Sequence, residues 1–209
     1  MILFILSFII LLVIYKTYKR SDDIKINKKL LTPEECNAII DLSNKYKYGK
    51  FREEVDGKPA YEVDIYDTEK GFILNKPLWD ICKKIYDKYL KDEFKLPEFV
   101  FIRRYTPGER TELPVHLDAN NVTVIFLLSD TRDFDGSELF IFDKKFTHKH
   151  KHIGEKSPRV KTEFIKSIKN LPTFKYEQGD AIKYNGKEHL HGVLPVTRGT
   201  RYSLSFFFE

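Results

Sequence analysis

The sequence predicts an α+β fold, a sandwich or barrel of strands carrying helices on one side. Three observations predict it. Two stretches before residue 95 repeat apolar residues at helical spacing. After Pro97 the chain breaks into short runs rich in β-branched and aromatic residues, bounded by Gly, Pro, Asp or Asn. Almost no helix-length apolar pattern separates the central runs, which disfavours parallel βαβ units.

The 209 residues, 42% apolar, suit one domain with a real core. Two cysteines, Cys36 and Cys82, are too few for a disulfide scaffold or a four-cysteine zinc site. Net charge is +5 but uneven. Residues 144–169 carry +7 and residues 16–29 carry +4, so the remainder is net −6. That is a slightly acidic body with two basic patches. It offers no continuous basic stripe with interleaved aromatics, so nucleic acid is disfavoured as a partner.

Taken in order, residues 1–15 (MILFILSFIILLVIY) hold no charged side chain, and Lys16, Lys19 and Arg20 follow at once. Neither a basic leader nor a small-residue cleavage site marks a signal peptide. Residues 1–18 are therefore expected to be an uncleaved single-pass membrane anchor, short for the ~30 Å hydrocarbon core. The basic flank places the following domain in the cytosol. Residues 19–29 read as a charged linker. Thr32-Pro33-Glu34-Glu35 reads as a helix start, with Thr32 as N-cap and Glu35 closing a capping box. Cys36, Ile39, Ile40 and Leu42 supply its apolar face. A second helix is expected from about Pro77 to Lys91, on Leu78, Cys82, Ile85, Tyr86, Tyr89 and Leu90. Strands are expected at 99–105, 122–128, 138–142, 181–184 and 201–208. Residues 144–172 form a basic insertion between core strands. Its Phe146–His152 run, FTHKHKH, reads as a solvated hairpin tip, with an anionic partner or a metal site as lesser readings.

Histidine placement carries the chemistry. His116-Leu117-Asp118 puts an imidazole and a carboxylate on one face of an extended segment. His189 and His191 repeat that spacing downstream. Two histidines and one carboxylate leave adjacent coordination positions open, as non-haem Fe(II) oxygenases require. Arg201 lies ten residues past His191 and suits bidentate capture of a carboxylate.

The stretches Tyr105-Thr-Pro-Gly-Glu-Arg-Thr-Glu-Leu-Pro-Val-His116-Leu-Asp118 and His191-Gly-Val-Leu-Pro-Val-Thr-Arg-Gly-Thr-Arg201-Tyr-Ser-Leu resemble the two metal motifs of Fe(II)/2-oxoglutarate dioxygenases. The likeness is to the prolyl 4-hydroxylase and procollagen-lysine hydroxylase group and covers residues 30–209. It implies a double-stranded β-helix, a jelly-roll-like antiparallel sandwich with N-terminal flanking helices. It implies His116, Asp118 and His191 as metal ligands, Arg201 as the clamp on 2-oxoglutarate, and Tyr105 as either a second co-substrate contact or a tyrosine of the pocket wall and core. Ser205, on the same strand face as Arg201, is a further candidate. His189 matches a motif histidine, but spacing to Arg201 favours His191 as ligand; His189 is left either to orient a ligand or simply to lie exposed. The second core strand holds Phe126-Leu127 where the prolyl branch often has a tyrosine.

The implied activity is hydroxylation of lysine or proline in a protein or peptide, with succinate and CO2 released and L-ascorbate as accessory reductant. The resemblance also places such enzymes in the secretory lumen, against the cytosolic flank. Three other readings stay open: a dioxygenase acting on a small molecule, a non-catalytic membrane-tethered binding module, and a zinc hydrolase using His116, His189 and His191.

Overall fold

The structure, a computed structural model, describes residues 23–209. The chain runs β1 (Lys25–Asn27), α1 (Pro33–Ser43), β2 (Glu62–Asp67), β3 (Phe72–Ile73), α2 (Lys76–Tyr89), β4 (Phe99–Tyr105), β5 (Leu113–His116) and β6 (Val122–Leu127). It continues β7 (Phe134–Gly136), β8 (Leu139–Ile141), α3 (Lys144–His150), a 3-10 turn (Lys151–Glu155) and α4 (Pro158–Ser167). Five strands close it: β9 (Thr173–Phe174), β10 (Ala181–Tyr184), β11 (His191–Val193), β12 (Val196–Gly199) and β13 (Arg201–Phe208).

A seven-stranded sheet has the order β1-β10-β6-β13-β4-β2-β3 and a four-stranded sheet the order β5-β11-β8-β9. A β12-β7 pair completes the set, and the pairings are antiparallel. This is the sandwich with flanking helices that the sequence predicts.

Strand alternation explains why one sheet serves two purposes. On β13, Leu204, Phe206 and Phe208 join the core beneath the helices, with Val100 and Ile102 of β4 and Val124 and Phe126 of β6. The intervening residues Arg201, Ser203, Ser205 and Phe207 face the opposite side and line a cavity. A one-residue slip of β13 would exchange the two sets, so burial of the aromatic face fixes the register of the cavity face. The helices seal the first face. The capping box at α1 is formed: Glu35 N–H donates to Thr32 Oγ1 at 3.2 Å, and Thr32 N–H donates to Glu35 Oε2 at 2.8 Å.

The structure corrects several expectations. The single-pass membrane localisation is not supported: among the described residues no helix is long and apolar enough to cross a membrane. The expected anchor over residues 1–18 lies outside the described residues. Residues 25–27, read as linker, form β1 and extend the large sheet by pairing with β10. Charged residues are tolerated there because an edge strand exposes alternate side chains, and Ile26 alone of the three is half-buried.

The basic insertion is helical rather than a hairpin tip. Asp143 caps α3 by accepting from Phe146 N–H at 2.7 Å, and Pro158 opens α4. Phe146, Phe164, Ile165 and Ile168 pack against a core of Val115, Phe140, Phe142, Ile153 and Leu190. Burial of that apolar set outweighs the charge alternation that suggested a strand. In an extended strand His148, His150 and His152 would share one face; the helical path separates His150 from that face. They form no cation site: the one His/Cys/Asp/Glu group among the described residues placed to hold a metal lies elsewhere.

Candidate active site

Two short strands of the small sheet assemble the histidines. β5 and β11 pair antiparallel with His116 directly opposite His191, and their rings lie 4.2 Å apart between centroids. Asp118 follows two residues after His116, just past the end of β5. Its Oδ1 sits 3.4 Å from His116 Nε2 and 3.3 Å from His191 Nε2. One ligand atom from each of the three residues lies within 4.8 Å of the others.

The backbone sets which ring nitrogens face one another. His116 Nδ1–H donates to Pro114 O at 2.8 Å, and His191 Nδ1–H donates to His189 O at 2.8 Å. Both Nε2 atoms are thereby turned toward Asp118. Asp118 is itself oriented. Thr123 Oγ1 donates to Asp118 Oδ2 at 2.5 Å, and Asp118 N–H donates to Gly186 O at 3.1 Å. Gly186 is required at that approach, since a Cβ there would lie 2.6 Å from Asp118 Cβ and 2.7 Å from Oδ2.

Electrostatics follow from burial and proximity. Burial and then the charge of His191 hold His116 below the usual imidazole value. His191 is opposed by burial, but the Asp118 carboxylate outweighs it and raises the imidazole. Burial pushes the Asp118 carboxyl up, yet His191 beside it holds it well below the ordinary range. Asp118 is thus favoured as the anion that the two imidazoles face, and a divalent cation bound there would compete with protons for the same Nε2 atoms. Two imidazole nitrogens and a carboxylate converging this closely fit Fe(II) in a facial arrangement.

His189 does not join them. It is fully buried, its Nδ1–H donates to Phe142 O at 2.7 Å, and its Nε2 has no partner. The zinc trio of His116, His189 and His191 is not assembled. His189 still orients His191, through its backbone carbonyl rather than its ring.

From the trio a cavity of about 690 Å³ extends across the large sheet. Arg201 lines it and is buried. Its Nη2 donates to Tyr176 Oη at 2.6 Å, and its guanidinium lies 5.4 Å from the ring centre of Tyr105, its register partner on β4. Tyr176 escaped the sequence reading, because it follows β9 in a segment with no recognisable motif. It supplies at Arg201 the hydroxyl that Phe126-Leu127 lacks. Ser205 faces the cavity as expected, about 13 Å along the strand from Arg201. Tyr184, also unforeseen, is buried against His191 with ring centroids 4.8 Å apart.

The outer part of the cavity is acidic. Glu53, Glu54, Asp67, Glu69, Glu98 and Glu209 line it, with Lys70 and Arg103 as the cations there. Lys70 is drawn to Asp64 at 3.3 Å and Asp67 at 3.1 Å. Arg103 is engaged by both Glu53 and Glu62.

No protein-family model matches the chain, and no curated protein does. Solved structures do. A viral collagen prolyl hydroxylase from Paramecium bursaria chlorella virus-1, in complex with 2-oxoglutarate, is 17% identical with a TM-score of 0.52, over 90% of this chain and 95% of that one. A Trichoplax adhaerens prolyl hydroxylase, in complex with a peptide of a hypoxia-inducible factor, is 11% identical with a TM-score of 0.60, over 90% and 84%. A 2-oxoglutarate–Fe(II) oxygenase-family oxidoreductase from Burkholderia pseudomallei is 16% identical with a TM-score of 0.61, over 93% and 89%. The family resemblance read from the motifs thus holds at the level of the fold. The chain has the double-stranded β-helix of the 2-oxoglutarate–Fe(II) oxygenases.

Proposed function

We propose that this chain is an Fe(II)- and 2-oxoglutarate-dependent dioxygenase that hydroxylates lysine or proline in a protein or peptide. One observation carries the reading. A metal-competent trio and a buried arginine with no carboxylate partner among the described residues share a single cavity. A dicarboxylate chelated at one end and clamped at the other fits that pairing of charges.

His116, Asp118 and His191 would hold the iron through atoms already oriented by Pro114 O, His189 O and Thr123 Oγ1. Arg201, aligned by Tyr176 and lying over Tyr105, takes the far carboxylate. Ser205 offers a hydroxyl on the same strand face, nearer the mouth. Iron and 2-oxoglutarate, when bound, would supply the oxidising chemistry with O2 as the oxidant, one of its atoms entering a C–H bond as hydroxyl and the other entering succinate as the co-substrate loses CO2. The protein's part is binding, orientation and exclusion of water by the buried strand faces. L-ascorbate is the accessory reductant expected for turnovers without substrate.

The acidic mouth supports lysine over proline. Glu54 and Glu69 are exposed where they line the cavity, and Lys70 beside them is drawn to Asp64 and Asp67, so that end of the cavity is net negative. A cationic side chain is steered and held by such a field, whereas a proline ring gains nothing from it.

Succinate release tests the reading. The full chain is supplied with Fe(II), 2-oxoglutarate and ascorbate, with and without collagen-like lysine or proline peptides. Iron-dependent succinate is expected, stimulated more by the lysine peptide and lost in His116→Ala. No succinate from folded, iron-loaded protein sinks the dioxygenase reading. Equal stimulation by both peptides removes the preference for lysine.

A further inference from the structure

We infer that Tyr184 is a further co-substrate-binding residue, its phenol O–H donating a hydrogen bond to the dicarboxylate that spans from the metal trio to Arg201. The inference rests on the proposed dioxygenase reading and adds a ligand contact that the motifs do not mark.

Tyr184 ends β10 and is 1% exposed, yet its hydroxyl has no partner at hydrogen-bond distance among the described residues; the Thr123 hydroxyl, already donating to Asp118, is the nearest group in reach. Buried tyrosines normally find a partner for that group, and an orphaned one is costly. Phenylalanine would fill the same space without that cost. The hydroxyl is not lost in packed core, because Tyr184 lines the cavity.

Its surroundings locate it between the two ends of the proposed ligand. Its ring packs edge-on against His191, and its register partner is Thr123. The hydroxyl lies within electrostatic reach of Asp118 on one side and of Tyr176 and Tyr105 on the other. Neighbouring groups are already committed. The Thr123 proton goes to Asp118, and Tyr176 accepts from Arg201. Tyr105 lies within hydrogen-bonding reach of Arg103. Of the three tyrosines at this inner end, Tyr184 is the one whose buried hydroxyl has no partner at hydrogen-bond distance among the described residues. An anionic acceptor entering the cavity would meet the guanidinium from one strand and this phenol from another. That arrangement selects a carboxylate over an apolar group of equal size, which would leave the phenol unsatisfied.

Equilibrium binding provides the test. Mn(II) stands in for Fe(II) so that no turnover interferes, and 2-oxoglutarate is titrated calorimetrically into the full chain and into Tyr184→Phe. The variant is expected to bind 2-oxoglutarate roughly 10–100-fold more weakly, as for loss of a hydrogen bond to a charged group. Its Mn(II) affinity without 2-oxoglutarate and its melting temperature should stay level, and Tyr184→His should recover part of the co-substrate affinity. Unchanged 2-oxoglutarate affinity in Tyr184→Phe overturns this inference alone. A parallel loss of Mn(II) affinity or melting temperature also overturns it, since Tyr184 would then be packing support for the trio. Failure of the natural chain to bind 2-oxoglutarate overturns the dioxygenase reading and this inference together.

Discussion

Two arginines on neighbouring strands, Arg103 on β4 and Arg201 on β13, both line the cavity and both are buried, at 7% and 2% exposure. Their company differs. Arg103 meets the carboxyl groups of Glu62 and Glu53. Arg201 meets the neutral hydroxyl of Tyr176 and the ring of Tyr105, and no carboxylate among the described residues. A buried charge is costly unless paired. Arg103 is paired twice by its own chain and reads as architecture. Arg201 is aligned but left uncompensated, which reads as a place kept for a ligand's anion.

That contrast is breakable. The largest effect is expected at Arg103, since Arg103→Leu strands two carboxyl groups in a buried setting. Urea unfolding should show a loss of about 3–5 kcal/mol, the usual result of removing one partner from a buried pair. A loss under about 1 kcal/mol would erase the distinction. Arg201→Leu should do the reverse. Stability should hold or rise, while 2-oxoglutarate affinity in the Mn(II)-loaded protein falls roughly 100-fold, or about 3 kcal/mol. Destabilisation without loss of affinity would reassign Arg201 to architecture.

The two carboxyl groups on Arg103 sharpen the comparison through pH. One guanidinium does not compensate both fully. Burial pushes the Glu62 carboxyl up from 4.5 to about 7, while Glu53, though also raised by burial, is held below its ordinary value by Arg103. The folded chain therefore holds the Glu62 proton more tightly than the unfolded chain does. Its stabilising contribution is fully present below pH 4.5 and is lost as pH rises to about 7. Glu62→Gln should flatten the stability profile across that window by about 1–3 kcal/mol. An unchanged slope by urea unfolding at pH 5 and pH 8 would show that Glu62 stays ionised beside Arg103. The smallest effect is expected at Tyr176. Tyr176→Phe removes one hydrogen bond to Arg201 and should cost about 1–2 kcal/mol in 2-oxoglutarate affinity. No change by calorimetry would mean that Tyr105 alone aligns the guanidinium.

Legibility followed sequence distance. The strands at 99–105, 122–127 and 201–208 were visible because apolar runs ended at turn residues. The helix start at Thr32 was visible because a capping box spans only three residues. β2 was missed, since its EVDIYD run carries three acidic residues that burial against Arg103 and α2 makes tolerable. The insertion was misread because its charges alternate like a strand while its apolar residues pack as helices.

His116, Asp118, His191 and Arg201 were legible because the i, i+2 and i, i+10 spacings of extended chain are local. Sequence by itself determined those side chains and the strand faces that present them, since backbone pleating allows little else. Only the tertiary structure decided that His116 lies opposite His191, that His189 turns away, and that Tyr176 reaches Arg201. It alone placed Glu53 against Arg103, fifty positions apart in the chain. Such meetings depend on which strands pair and how the sheets stack. That is settled by burial of the whole apolar surface, not by any spacing a short stretch of sequence can display.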